Sequence, residues 1–102
     1  MIGKTYHVRF PSMAFTLTFL GETRLRFTVE SSPDRSSGSS YEVGIEIEPL
    51  RDELYLVSWQ ERSGNTVVHL EDFSAHQVHA FLSMTDGRFI RQSAPLVELP
   101  SR

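Results

Sequence analysis

The stretch LYLVSWQERSGNTVVHLEDF, residues 54–73, decides the fold. Tyr55, Val57 and Trp59 alternate with Leu56, Ser58 and Gln60, and Val67, His69 and Glu71 alternate with Val68, Leu70 and Asp72. Period-2 alternation on both sides of a polar break is the pattern of two antiparallel strands. The break, Arg62-Ser63-Gly64, suits a type I turn with glycine in the left-handed third position, closing a hairpin with a G1 bulge. That turn pairs Glu61 with Asn65, Trp59 with Val67, Val57 with His69 and Tyr55 with Glu71. A two-residue turn at Ser63-Gly64 would instead bring Val68, Leu70 and Asp72 beside Trp59.

The same alternation extends outward in both directions, and no helical period of useful length interrupts it. Upstream, Tyr6, Val8 and Phe10 form one run, and Pro11-Ser12 separates it from Met13, Phe15, Leu17 and Phe19. Leu25, Phe27 and Val29 follow Gly21, and Tyr41, Val43, Ile45 and Ile47 alternate with Glu42, Gly44, Glu46 and Glu48 up to Pro49. Between these last two runs, Ser31 to Ser40 is low in complexity and reads as a mobile loop. Downstream, the loop Ser74 to Gln77 puts Phe73 opposite Val78, Glu71 opposite Ala80 and His69 opposite Leu82. Asp86-Gly87 is a two-residue type I′ signal, which puts Met84 opposite Phe89 and Leu82 opposite Arg91. The tail from Pro95 to Arg102 reads as an edge or a frayed end.

Eight antiparallel strands with one apolar face each can roll into a small up-and-down barrel, which removes the open edges of a flat sheet. Such a barrel is filled by side chains or holds one small ligand. A sandwich of two sheets is the rival architecture.

The register gives the interior its contents. One continuous face carries Tyr55, Val57, Trp59, Glu61, Val67, His69, Glu71, Phe73, Val78, Ala80, Leu82, Met84, Phe89 and Arg91. Charges in such a face must pair or line a solvated cavity, and an Arg91–Glu71 ion pair with His69 beside it satisfies that need. Polar groups converging in an apolar cavity are the anatomy of a ligand site. The candidate ligand-binding residues are therefore Tyr55, Trp59, Glu61, His69, Glu71, Phe73 and Arg91. Five of them have a plainer reading: Glu61 and Arg91 as solvated rim, Trp59 and Tyr55 as core packing, His69 as a surface histidine.

Composition narrows the classes of function. The chain has 102 residues, one domain's length, with 39% hydrophobic and 23% charged residues, so it is neither disordered nor helical-membrane in character. Net charge is −3 without a Lys/Arg cluster, which disfavours nucleic acid as a partner. Glu42, Glu46 and Glu48 disfavour an anionic membrane surface. The start, Met1 to Thr5, has no apolar signal region, so a cytoplasmic location is expected. There is no cysteine, and no two histidines have metal-motif spacing, so neither metal nor cofactor is expected.

The segment Tyr55-Leu-Val-Ser-Trp59-Gln-Glu61, followed by Thr66-Val-Val-His69-Leu-Glu71-Asp72-Phe73, resembles the MoaF-like domain, named after molybdenum cofactor biosynthesis protein F. Gly3-Lys4-Thr5-Tyr6 and Phe10 to Phe15 share the resemblance, and Gly3 to Tyr6 is similar to the Gly-x-Trp opening of lipocalins, with tyrosine replacing tryptophan. The resemblance implies a calycin- or lipocalin-like barrel, and marks Trp59, Glu61, His69 and Glu71 as motif positions without a catalytic role. Family members of full length look like two such modules in tandem, whereas this chain holds one.

Three functions compete at this stage. The first is a barrel binding an apolar or aromatic, and in one form anionic, small molecule, with Arg91 on a ligand carboxylate. The second is a cofactor-free enzyme of decarboxylase, isomerase or cyclase type, with His69 and Glu71 as acid and base. The third is an interaction or homodimer module whose barrel is plugged by Phe15, Phe19, Phe27, Phe73, Phe81 and Phe89.

Overall fold

The computed structural model describes residues 1–33 and 35–100. Among the described residues nine strands form in chain order: β1 Thr5–Arg9, β2 Ala14–Gly21, β3 Arg24–Ser31, β4 Ser40–Gly44, β5 Glu46–Arg51, β6 Leu54–Gln60, β7 Thr66–Asp72, β8 Gln77–Ser83 and β9 Phe89–Glu98. All neighbours are antiparallel, in the order β4-β3-β2-β1-β9-β8-β7-β6-β5.

The two outermost members of that order, β4 and β5, are consecutive in the chain, separated only by Ile45. Ile45 is buried, and its N–H donates to the carbonyl of Thr23 at 2.9 Å. The stretch expected as one strand therefore bends at Ile45, bonding β3 with its first half and β6 with its second. This bend accounts for nine strands against the expected eight, and it makes the sheet a nearly closed barrel. β9 bends in the same way: Phe89 to Pro95 pairs with β8, and Leu96 to Glu98 pairs with β1. The tail expected as an edge is thus a closing strand through Glu98; Ser101 and Arg102 lie outside the described residues.

The barrel interior is the alternating apolar face. Val8, Leu17, Phe19, Leu25, Val57, Val78 and Leu96 are almost wholly buried there, and an aliphatic or phenyl side chain so placed contributes about 1.5–3 kcal/mol. The β6–β7 turn has the expected three-residue form: Glu61 N–H donates to Asn65 O and Gly64 N–H to Glu61 O, both at 2.8 Å, with Gly64 at φ 99°. All four expected β6–β7 pairings follow from it.

Two other turns differ from expectation. In β7–β8, Asp72 Oδ1 accepts from the backbone of Ser74 (3.1 Å) and Ala75 (3.0 Å), and His76 turns the chain back at φ 54°. Glu71 then faces Val78 and His69 faces Ala80. This slip of two residues leaves every side chain on its expected face. In β8–β9, Met84 N–H donates to Arg88 O and Gly87 N–H to Met84 O. Gly87 has positive φ, at 95°, but Asp86 does not. A type I′ turn needs positive φ at both central residues, so the connection takes the same three-residue form as β6–β7. Leu82 then faces Ile90 and Phe81 faces Arg91. A shift of one residue turns Phe89 and Arg91 outward and brings Ile90, Gln92 and Ala94 to the inner side.

Candidate functional site

Up-and-down winding gathers the β1–β2, β3–β4, β6–β7 and β8–β9 connections at one end of the barrel. Beneath them lies a cavity of about 330 Å³. Its walls are Phe10, Phe15, Leu17, Phe27, Trp59, Val67 and Leu82, with Met13 and Met84 also lining it. Phe27 and Trp59 stack with ring centroids 6.3 Å apart and planes 30° from parallel. Such a surface favours a flat apolar guest.

Polar groups interrupt this wall. His69 lines the cavity, edge-on to Trp59 at 5.0 Å and to Phe10 at 6.3 Å between centroids. His69 Nδ1 lies 3.3 Å from Oε2 of Glu71. Glu71 is 0% exposed, and its other oxygen, Oε1, has no partner among the described residues. Trp59 Nε1 and Gln92 Nε2 are likewise buried donors without a partner among the described residues, both on residues lining the cavity. Buried polar atoms are nearly always satisfied, so these idle donors single out Trp59 and Gln92 as lining side chains whose hydrogen bonding is incomplete.

The rim is charged but balanced. Arg35, from the β3–β4 connection, pairs with Glu61 at 2.5 Å. Its guanidinium lies 4.9 Å from the Tyr41 ring centroid and 5.4 Å from that of Phe27. The loop expected to be mobile is therefore held across the cavity mouth at Arg35; Asp34 beside it lies outside the described residues. On the opposite rim, Arg88 Nε donates to Asp86 Oδ2 at 2.8 Å. The Arg88 backbone N–H, followed by its side chain, holds the Asp86 carboxyl below its usual range. Asn65 Oδ1 accepts from Thr85 N–H at 2.9 Å, tying the two three-residue turns together.

The structure brings together three of the seven candidate residues. Trp59, Glu61 and His69 line the cavity, and Glu71 sits beneath it through its bond to His69. Tyr55 and Phe73 lie at the other end of the barrel, where they line a second hollow of about 310 Å³ with Tyr6. There Phe73 packs against Tyr6 at 5.3 Å and Tyr55 at 5.8 Å. Tyr6 is pushed up to about 12, by burial first and then by the carboxylates of Glu98, Glu71 and Glu53. Arg91 is exposed on the outer face, over the Phe89 ring at 5.6 Å, so the expected Arg91–Glu71 pair does not form. The reason is the one-residue shift at Asp86-Gly87. That shift also hid Gln92, the inward neighbour of Arg91. Phe10, Phe15 and Phe27 were legible as inward residues but not as cavity wall, while Arg35 left no signal in a serine-rich loop. Among the described residues no group of three His, Cys, Asp or Glu side chains is arranged to hold a metal ion.

The MoaF-like family model matches residues 2–97, and the chain belongs to that family. A crystal structure from Burkholderia vietnamiensis, of a protein provisionally described as a beta-lactamase, is similar at 26% identity and a TM-score of 0.88. The match covers 96% of this chain and 94% of that one. No curated protein matches.

Proposed function

On that family fold and this cavity, we propose that the protein binds a small, flat, largely apolar molecule carrying a carbonyl-type oxygen. The observation behind this reading is the pair of idle buried donors, Trp59 Nε1 and Gln92 Nε2, on side chains that line an otherwise aromatic cavity of about 330 Å³. Ligand cavities of this kind bury most of the guest and orient it with a few polar groups. Arg35 and Arg88 already have carboxylate partners in Glu61 and Asp86. The orienting groups are therefore neutral N–H donors, and a ketone, amide or carboxylic acid all fit them.

Read as a serine β-lactamase, the description of the Burkholderia protein does not carry over on sequence grounds. The serine β-lactamase nucleophile stands in a Ser-x-x-Lys motif. The single lysine here, Lys4, has Met1 three places before it.

Trp59 is the sole tryptophan, so its emission reports directly on the cavity. Titration with a panel of aromatic ketones and acids is expected to give saturable quenching. Gln92→Leu should weaken it about tenfold, the value of one lost hydrogen bond, and Arg91→Ala should change nothing. Absence of quenching across the panel, or equal binding by Gln92→Leu, would sink the proposal.

A further inference from the structure

Binding alone leaves the cavity floor unexplained. His69 and Glu71 are 2% and 0% exposed, with a single hydrogen bond between them and Glu71 Oε1 idle. A carboxylate so placed detracts from stability. What it supplies is orientation: an imidazole held through Nδ1 has its other nitrogen, Nε2, free on a ring that lines the cavity. With the proton on Nδ1, Nε2 carries the lone pair. The rings of Phe10 and Trp59 flank the imidazole edge-on. The two idle donors are the kind of group that stabilises charge developing on an oxygen.

We propose that the cavity floor is a general-base site, where His69 Nε2 removes a proton from the carbon beside the ligand's carbonyl. Glu71 is the positioning residue, and Trp59 and Gln92 donate to the oxygen. This rests on the reading that the cavity holds a carbonyl compound. The C–H bond breaks and its electron pair becomes a C=C bond, while the carbonyl π pair moves onto the oxygen. The proton goes to Nε2, then returns to the same carbon or to a conjugated one. The net result is exchange or isomerisation, with no oxidant, reductant or second substrate.

The probe is 2-tetralone, a flat neutral ketone with a benzylic proton beside its carbonyl. The full chain is incubated with it in D2O, and loss of the C1 proton signal is followed by NMR alongside Trp59 quenching. General-base assistance predicts exchange about 10²–10⁴-fold above buffer. His69→Gln should keep the quenching and lose the exchange; Glu71→Gln should lower kcat and leave KM unchanged, with Glu71→Asp recovering part of kcat. Should those variants fail to fold, calorimetry on the wild type still decides. 2-Naphthol, which mimics the enol, should bind at least about 10²-fold tighter than the ketone. Quenching without exchange overturns the base and leaves binding standing. Exchange that survives in a folded His69→Gln, or naphthol binding no tighter than tetralone, also overturns it. Neither quenching nor exchange overturns both readings.

Discussion

The His69–Glu71 pair should cost the fold stability, and a double-mutant cycle can measure the cost. Glu71 is fully buried and, among the described residues, makes one side-chain hydrogen bond at 3.3 Å and leaves one oxygen without a partner. His69→Phe deletes that bond and orphans the whole carboxylate. Breaking a buried pair from one side costs about 3–5 kcal/mol. Glu71→Met leaves only one neutral N–H unsatisfied, at about 1–3 kcal/mol, offset by removal of the buried charge. The double variant orphans nothing. Replacing a buried pair with apolar groups of similar volume is neutral or stabilising, by up to about 4 kcal/mol. The larger ring of Phe has room, because position 69 borders the cavity. The ranking expected is double variant at or above wild type, Glu71→Met near it, His69→Phe far below. Urea melts should be followed by far-ultraviolet circular dichroism, since Trp59 sits 5.0 Å from His69 and its emission would also register the local change. In a domain of this size each kcal/mol moves Tm by about 4–8 °C. A double variant more than about 1 kcal/mol below wild type would show that the pair holds the barrel together. The argument that it is retained for chemistry would then be refuted.

Two further outcomes test the turns and the far end of the barrel. A Cβ at Gly64 would lie 2.9 Å from Thr85 Cγ2, whereas one at Gly87 would meet nothing within 4 Å. Both glycines have positive φ. Gly87→Ala should therefore cost only the left-handed penalty of about 1–2 kcal/mol. Gly64→Ala should cost more, and Thr85→Ser, which lacks that methyl, should recover the difference in a thermal melt. Tyr6, raised to about 12, ionises later in the folded protein than in the unfolded chain, where tyrosine titrates near ~10. The folded state thus holds its proton more tightly: the Tyr6 contribution is complete below pH ~10 and is lost as pH rises towards about 12. An alkaline absorbance titration should show one late phenolate step that disappears in Tyr6→Phe.

How far the sequence could be read depended on turn chemistry at particular residues. The β6–β7 register was legible because Gly64 supplies positive φ and Arg62-Ser63 suits a type I turn, and four pairings followed. At Asp86-Gly87 the same dipeptide chemistry serves two loop lengths. Asp86 Oδ1 accepting from Arg88 N–H at 3.0 Å is a local detail that composition does not reveal. The parity of β9 hung on that choice, exchanging Arg91 for Gln92 in the interior and an expected charged contact for a neutral one. At Asp72 the error was two residues, so no side chain changed face and His69 and Glu71 stayed inside. Closure through the bend at Ile45 was also beyond reach, since an alternating run gives no sign of changing its partner strand midway. Neither is the Arg35–Glu61 contact local, for it spans the barrel mouth between residues far apart in the chain.

The same aromatic residues that suggested a plugged barrel divide its interior between two ends rather than filling it. Phe19 lies below the cavity and contacts Tyr6 edge-on at 6.0 Å, and Tyr6 in turn meets Phe73, which meets Tyr55. These rings pack at the end where β2–β3, β5–β6 and β7–β8 turn, and Tyr6, Tyr55 and Phe73 line the second hollow there. Phe81 and Phe89, which would have been needed to fill the other end, are on the outer face, set there by the β8–β9 turn. Phe15 and Phe27 remain as walls rather than fillers, 6.1 Å apart and edge-on. Small side chains complete the asymmetry: Ala80 faces His69 across the strands and Ala94 follows it on the inner face of β9. Bulk at one end anchors the barrel, and its shortage at the other leaves His69 accessible from the cavity, with Glu71 behind it. Filling that space from a lining position, as in Val67→Phe, should therefore abolish Trp59 quenching by any guest while leaving the far-end packing of Tyr6 and Phe73 intact. If quenching persisted in a folded Val67→Phe, the guest would have to sit closer to the rim than the donors require.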